Sequence, residues 1–224
     1  VPPASGSWLF AFSARDAAAA FVAAVLASTL EPDRLAWLNA AALARSGMDR
    51  ADAGVAVSIG SVAEAVGAQG AALASMGASG GGRASAIDES FWSGLGDALA
   101  GPIALKLVSE IRRLPFWSGE LEKAFARRGL SAAIVGEAGN GVLRAAVEGS
   151  LPPADWAKDI VSPLRDGLSA EGGSLVVERA PVELKRAADV WGPVPEPALT
   201  VMKRLKSEFD PRGILNPGRF VGGL

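Results

Sequence analysis

Apolar residues recur along the chain with two periods, and successive segments change from one period to the other. Apolar–polar alternation over a short run is typical of a strand, whereas a spacing of three to four residues is typical of a helix. The pattern predicts strands at Ser7–Phe12, Arg34–Asn39, Gly54–Gly60, Ile103–Ile111 and Ser174–Ala180, with two more inside Ser131–Gly149. It predicts helices at Ala17–Leu30, Ser61–Ala78, Asp88–Leu99, Leu114–Arg128, Pro152–Ala170 and Ala198–Phe209.

Local signals refine these boundaries. Ser13 and Asp16 have the spacing of a capping motif ahead of the first helix, and Pro163 predicts a kink inside a later one. The glycine-rich stretch Ser79–Ser85 lacks the spacings of phosphate-binding glycine motifs, so we expect a flexible surface loop there. The step Asp210-Pro211 is expected to end the last helix.

The order of these elements predicts an α+β fold. Strands separated by helices, with one adjacent strand pair, favour a mainly antiparallel sheet covered by helices on one face. Two ferredoxin-like half-units are the simplest plan, and residues 1–197 are expected to form this main domain. Residues 198–224 are expected to form a closing C-terminal helix and tail. A doubly wound Rossmann domain is the alternative, but no Gly-x-Gly-x-x-Gly motif follows a strand.

Composition changes the picture mainly through the residue types that are missing. The 224 residues include no Cys, no His and no Tyr. Disulfides, iron–sulfur clusters and thiolate zinc sites therefore cannot form from this chain, and the commonest general base is missing as well. The net charge of −2, from 22 basic and 24 acidic residues, gives no argument for nucleic acid as a partner.

The most apolar run, Ala17–Leu30, bears on membrane association. It is 14 residues long, whereas a membrane span needs about 20 apolar residues. We therefore expect a buried helix and no membrane span, and no basic leader marks the run as a signal peptide. Because the chain begins with Val1 and not Met, we interpret it as a piece of a longer protein.

The C-terminal segment carries a family resemblance. MKRLKSEFDPRGILNPGR, from Met202 to Arg219, resembles the closing signature of FAD-linked oxidases with the vanillyl-alcohol-oxidase architecture. Those chains end in a helix, a DP-x-G turn and an NPG(K/R) turn. Upstream, GEAGNGVLRA, GGSLVVERAP and KRAADVWG occur in the expected order. VVERAP, ADVWG and NPGRFVGGL look like the FAD-binding subunit of bacterial glycolate oxidase, whereas residues 1–130 match in layout more than in motif.

The resemblance implies a cap domain. In that family an N-terminal domain holds FAD, and a C-terminal α+β cap domain covers the flavin and shapes the substrate site. The tail would return toward a flavin domain preceding Val1, and Asn216, Gly218 and Arg219 are the cofactor-binding residues that the resemblance implies. Asn216 also has a purely structural interpretation as the start of a turn. We expect FAD in the full-length protein and not in this fragment, since most cofactor contacts lie outside it.

The same resemblance points to a degenerate catalytic site. Catalytic relatives carry GHxGDGNxH and, further on, Glu-His-Gly, whose histidines and Glu bind a divalent metal and provide the base. Here Glu137 and Arg144 replace the first two histidines, and Arg179 follows Glu178 in place of the base. No confident catalytic residue and no metal site are predicted, because an arginine repels cations and cannot act as a base near neutral pH. Two interpretations stay open: an ion-pair network, and the binding of a substrate carboxylate by Arg144 or Arg179.

These observations predict the C-terminal domain of an FAD-binding subunit in a glycolate oxidase or dehydrogenase complex. The complex would oxidise glycolate, a small 2-hydroxy acid, to glyoxylate, with a catalytic flavin subunit and an iron–sulfur subunit as partners. This subunit would lack its own base and metal site, and the fragment alone would be inactive. We expect a cytoplasmic location, or a peripheral one at the inner membrane through the complex. The alternatives are a catalytic FAD-dependent 2-hydroxy acid dehydrogenase and a non-enzymatic ferredoxin-like assembly module.

Overall fold

The computed structural model describes residues 2–48 and 50–224, and eight strands in this part of the chain form one sheet. Each strand pairs antiparallel with its neighbours. The strands are β1 (Ala4–Phe12), β2 (Arg34–Asn39), β3 (Ala53–Ser61), β4 (Arg83–Ala86), β5 (Ile103–Val108), β6 (Ala132–Glu137), β7 (Val142–Val147) and β8 (Ser174–Arg179).

The helices connect these strands and close the chain. They are α1 (Arg15–Ala27), α2 (Ala40–Arg45), α3 (Ala63–Ser79), α4 (Glu89–Ala98), α5 (Leu114–Ala126), α6 (Pro153–Asp155), α7 (Ser162–Ala170), α8 (Val182–Ala187) and α9 (Glu196–Phe209). A π-helical turn, Trp156–Val161, joins α6 to α7 just before Pro163. Proline has no N–H for the regular hydrogen bond and crowds the preceding turn, which accounts for a distortion near the predicted kink. No helix among the described residues is long and apolar enough to cross a bilayer.

The sheet consists of two ferredoxin-like units joined edge to edge. Its strand order is β4-β1-β3-β2-β6-β7-β5-β8. The first unit consists of β1 to β4 and the second of β5 to β8. In each unit the first strand in sequence lies between the third and the fourth, and the second strand lies on the far side of the third. The second strands of the two units, β2 and β6, pair with each other from Ala36 opposite Glu137 to Leu38 opposite Val135. The predicted α+β fold with a duplicated ferredoxin-like plan is confirmed.

One face of the sheet carries the main core. Alternate strand positions send apolar side chains to this face, where α1, α3, α5 and α7 pack. Phe10, Trp37, Leu105 and Ile134 are fully buried there. This arrangement confirms the predicted layer of helices over one sheet face.

The opposite face is covered by helices only in the first unit, where α2 and α4 pack against it. Leu43 of α2 and Phe91 of α4 join a second core with Leu9, Leu38 and Val135. The sequence analysis did not predict α2, which Asn39 caps through its side chain. The same face of the second unit carries half-exposed side chains, and we call this part of β5, β7 and β8 the open face.

Two local predictions were wrong. Residues Arg83–Ala86, placed in a loop, form β4 and pair with β1 from Trp8 opposite Ala86 to Ala11 opposite Arg83. All four side chains of β4 are exposed, and its alternation of polar residues with alanine includes no large or β-branched apolar side chain, so the strand signal of this edge is weak. Helix α1 begins at Arg15 after the N-cap residue Ala14, without a side-chain cap, so Ser13 does not have the predicted capping role.

Candidate functional site

The hairpin between β6 and β7 places Glu137 beside Arg144. Gly141 adopts φ +74°, which lets the chain reverse within four residues. The Asn140 amide donates to Glu137 Oε2 at 2.6 Å, and its oxygen accepts from the Val142 N–H at 3.2 Å. Arg144 Nη1 donates to Glu137 Oε1 at 2.6 Å. Both oxygens of the Glu137 carboxylate are therefore bound.

These partners keep Glu137 ionised. The hydrogen bond from Asn140, followed by the hydrogen bond and charge of Arg144 and the charge of Lys106, lowers the pKa of the Glu137 carboxyl below its usual range despite partial burial. A carboxylate with a lowered pKa is a weak proton acceptor near neutral pH. Glu137 is thus suited to hold Arg144 in place and poorly suited to serve as a general base.

Glu178 approaches Arg144 from the other side. The Nε atom of Arg144 lies 3.6 Å from Glu178 Oε1. A register shift between β5 and β8 places Arg179 opposite Ala104, where its guanidinium donates to the Gly101 carbonyl. The structure therefore brings together three of the four residues of the degenerate site, which we call the Arg144 cluster (Glu137, Arg144 and Glu178). Arg179 lies outside it.

This donor set does not fit a divalent-metal site. The two carboxylates of the Arg144 cluster flank a guanidinium, which stays protonated and would oppose a cation at the same place. Within residues 2–48 and 50–224, no three acidic side chains converge in an arrangement that could hold a metal ion. The cluster can pair charges or contact an anion.

A pocket lies beside the cluster, and we call it the open-face pocket. Its volume is about 600 Å³. Its floor comes from β5 and β8, and its far wall comes from α8, the loop that follows and the tail. Its lining includes Lys106, Val108, Val176, Glu178, Lys185, Val190, Trp191 and Arg219. Glu178 of the degenerate site and Arg219 of the tail, which the sequence analysis treated separately, thus line one pocket.

Lys106 and Trp191 are members of this site that the sequence analysis missed. Lys106 is the only charged residue in the apolar strand β5, and that interruption of the pattern could have identified it. Its neighbours Leu105 and Leu107 point into the main core, so its own side chain lies on the open face beside Arg144, its partner in register. Trp191 had no comparable local signal.

The tail turns back against Trp191. Asn216 has φ +49° and Gly218 has φ +71°, and the Arg219 N–H closes the turn on the Asn216 carbonyl at 3.2 Å. The Trp191 indole N–H donates to the Arg219 carbonyl at 3.2 Å, and its ring lies 5.3 Å from that of Phe220. The side chains of Asn216 and Arg219 are both exposed. Arg219 lines the open-face pocket, whereas Asn216 lines a cleft between α9 and the tail, and their role toward a cofactor stays a prediction.

Asp210 anchors the tail to α9. Its carboxylate accepts from the N–H groups of Ile214 at 3.0 Å and Leu215 at 2.9 Å, and it pairs with Lys206 at 2.7 Å. The hydrogen bond from Lys206, followed by the backbone N–H of Leu215, lowers the pKa of Asp210 from 3.8 to about 2. The carboxylate form therefore organises the turn that follows the helix.

Acid is expected to release this anchor. Because the pKa of Asp210 is lower in the folded tail, its contribution is complete above about pH 4 and is lost as the pH falls toward 2. The fluorescence of Trp191, measured as the difference between the protein and Trp191→Phe, should change over this range. In Asp210→Ala the altered signal should already be present at pH 7, whereas Glu208→Ala, an exposed change on the same helix, should leave it intact. Identical spectra for Asp210→Ala and the parent at pH 7 would contradict this role.

A larger crevice, of about 1340 Å³, surrounds Asn39 and Glu122, where β2 ends and β6 begins. Arg15 pairs with Glu122, and the Asn39 amide donates to Glu122 Oε1 at 2.8 Å. These polar groups bind one another and connect α1, α5 and β2. Although this crevice is larger than the open-face pocket, we assign it a structural role and not the site chemistry.

Comparisons with known proteins agree with this fold. A family model described as "FAD linked oxidases, C-terminal domain" matches residues 59–220. A structure of p-cresol methylhydroxylase with substrate bound is similar at 15% identity and a TM-score of 0.63, over 97% of this chain and 53% of that one. Two structures of alkyldihydroxyacetonephosphate synthase match at 14% and 11% identity, with TM-scores of 0.53 and 0.52. They cover 97% and 94% of this chain, and 44% and 43% of theirs.

At these identities the structural matches show a shared fold. This chain spans about half the length of p-cresol methylhydroxylase and less than half of the synthase. A search of curated proteins finds no significant match.

Proposed function

The chain belongs to the family of C-terminal domains of FAD-linked oxidases. On this basis we propose that it is the cap portion of an FAD-binding subunit in a glycolate oxidase complex. In this proposal the complex oxidises glycolate to glyoxylate, and the partners are a catalytic flavin subunit and an iron–sulfur subunit. The present subunit supplies no base of its own.

The Arg144 cluster carries the proposal. Oxidation of glycolate to glyoxylate removes two electrons and two protons, so a group near the hydroxyl must accept a proton. The guanidinium of Arg144 cannot accept one near neutral pH, and Glu137 is a weak acceptor because its pKa is lowered. The chain has no imidazole to take their place. Proton removal is therefore assigned to the partner subunit.

The residues of the tail fit a flavin. The tail presents the exposed amide of Asn216 and the guanidinium of Arg219, which suit the polar ring edge and the phosphates of FAD. The positive φ of Gly218 allows the backbone to turn closely there. Asn216, Gly218 and Arg219 would hold the cofactor from the cap side, and FAD, when bound, supplies the acceptor for the two electrons. We expect no FAD in the isolated chain.

Anaerobic titration with glycolate tests the proposal. The polypeptide extended by the sequence that precedes Val1 is purified alone and together with the two partner subunits, and flavin absorbance is followed. We expect a bound flavin that glycolate does not bleach in the isolated subunit. Glycolate should bleach flavin once the partners are present.

Two other outcomes select the alternatives. Bleaching in the isolated subunit, lost in Arg144→Gln but kept in the exposed control Arg127→Gln, would identify a catalytic 2-hydroxy acid dehydrogenase. A full-length protein that binds no flavin would favour an assembly module.

A further inference from the structure

We infer that the open-face pocket binds an amphipathic carboxylate, meaning an organic acid with an apolar body, and that Lys106 anchors its carboxylate. This inference goes beyond the proposed function, because glycolate has no apolar body. It concerns binding by this chain itself and does not depend on turnover by a complex.

The charges in the pocket are not balanced. Apart from Arg219, which the proposed function assigns to FAD, Lys106 and Lys185 contribute two cations, whereas Glu178 contributes one carboxylate. Glu178 already lies 3.6 Å from Arg144. In the ion pairs of the described residues, Arg144 and not Lys106 binds the carboxylates of the cluster. An anionic ligand would compensate the remaining positive charge.

Lys106 occupies the most protected cationic position of the pocket. It lies on β5 between two paired strands, with Arg144 of β7 opposite it on one side and Val176 of the edge strand β8 on the other. Its side chain is half-buried, whereas Lys185 and Arg219 are exposed. Solvent and salt screen a partly buried charge less than an exposed one. We therefore assign the direct contact with the carboxylate to Lys106 and a supporting role to Lys185.

The remaining walls are apolar. Val108 and Val176 form part of the sheet floor, and Val190 and Trp191 form the facing wall. Val108 is 37% exposed, so a ligand can still remove apolar surface from water there. The volume of about 600 Å³ lies within the range of about 300 to 1,000 Å³ that holds organic ligands. Glycolate would fill only a small part of it.

The apolar wall is in place before a ligand arrives. The Trp191 backbone N–H donates to Asp189 Oδ1 at 3.1 Å, and its indole N–H donates to the Arg219 carbonyl at 3.2 Å. The Val177 N–H holds the loop against β8 through the Val190 carbonyl at 2.8 Å. A wall that is already ordered lowers the entropic cost of binding.

Binding of 3-phenyllactate to the chain, measured by calorimetry, tests the inference against two matched ligands. 3-Phenylpropane-1,2-diol lacks the carboxylate, and glycolate lacks the apolar body. We expect 3-phenyllactate to bind at least about tenfold more tightly than the diol, the usual size of one charge-assisted hydrogen bond. It should also bind at least about tenfold more tightly than glycolate, because its phenyl group removes apolar surface from water.

Three variants locate the site. Lys106→Met retains the apolar stem and should weaken the binding of 3-phenyllactate about tenfold. Lys185→Met changes an exposed residue, so it should fold normally and weaken binding severalfold. The control Lys158→Met removes an exposed charge from the helix layer on the other sheet face and should leave binding unchanged. Circular dichroism verifies that each variant is folded.

Several results would overturn the inference. Equal binding of 3-phenyllactate and the diol would exclude an anion site, and equal binding of glycolate would exclude the apolar body. Undetectable binding of all three ligands would exclude the pocket itself. If Lys106→Met and Lys185→Met bind 3-phenyllactate as tightly as Lys158→Met does, the ligand binds elsewhere on the chain. None of these results changes the outcome expected in the flavin-bleaching test, so the two proposals can fail separately.

Discussion

Replacing Asn39 with alanine is expected to lower the free energy of unfolding by about 3 kcal/mol. The Asn39 side chain is 2% exposed and makes four hydrogen bonds, the full capacity of a carboxamide. Its amide donates to Glu122 Oε1 and to the Ala132 carbonyl, both at 2.8 Å. Its oxygen accepts from the N–H groups of Ala42 at 2.9 Å and Ile134 at 2.8 Å. Alanine leaves these groups without partners in the protein interior.

The effect is large because Asn39 lies where the two ferredoxin-like units meet. It ends β2, caps α2 and binds β6 across the unit boundary. Denaturant unfolding measures the loss, and Asn140→Ala, which removes an exposed turn asparagine, is the control and should cost less than about 1 kcal/mol. Asn39→Asp keeps both acceptor bonds but places a charge beside Glu122, so it should also destabilise the protein. A loss below about 1 kcal/mol for Asn39→Ala would contradict this role.

Gly141→Ala is the second change with a large expected effect, a loss of about 3 kcal/mol in the free energy of unfolding. Gly141 has φ +74°, and a Cβ atom there would overlap the backbone carbonyl oxygen of Ser109. That segment cannot move away easily, because the Ser109 N–H donates to the Gly141 carbonyl at 2.9 Å. Strain in the turn should also loosen the contact between Glu137 and Arg144.

Gly139→Ala is a matched control for this prediction, because it changes the same turn. A Cβ atom at Gly139 meets no atom within 4 Å, so this variant should stay within about 0.5 kcal/mol of the parent. Thermal or denaturant unfolding gives the comparison. An NMR titration should show the pKa of Glu137 rising toward its ordinary value in Gly141→Ala only. Equal losses for the two variants would show that the close approach to Ser109 is unimportant.

Most elements of the fold could be predicted from the sequence, because their periodicity is a local property. The strand from Arg34 to Asn39 matches its predicted bounds, and the hairpin around Gly141 follows from glycine spacing. Helix α2 was missed although Asn39 followed by helix-forming residues is a recognisable start signal. Strand β4 had only a weak signal, since its four residues are all exposed and alternate polar residues with alanine alone.

The candidate site was predictable only in part. Short spacing in the sequence places Glu137 near Arg144, whereas the approach of Glu178 and Arg219 depends on how distant strands and the tail pack. The position of Arg179 depends on a register shift beside Ala104, which no local pattern indicates. The functional roles of Glu137, Arg144, Glu178, Arg179, Asn216, Gly218 and Arg219 stay predictions.

The amino-acid sequence by itself determined the alternation of strands and helices, the duplicated plan and the lack of imidazole and thiol groups, since these depend on local pattern and composition. Only the tertiary structure decided which side chains share a pocket and why α3 contains glycine. Ideal Cβ atoms at Gly70 and Gly77 would overlap the rings of Trp8 and Phe10. Such contacts join residues far apart in the chain, so their physical basis appears only after the sheet and helices have packed together.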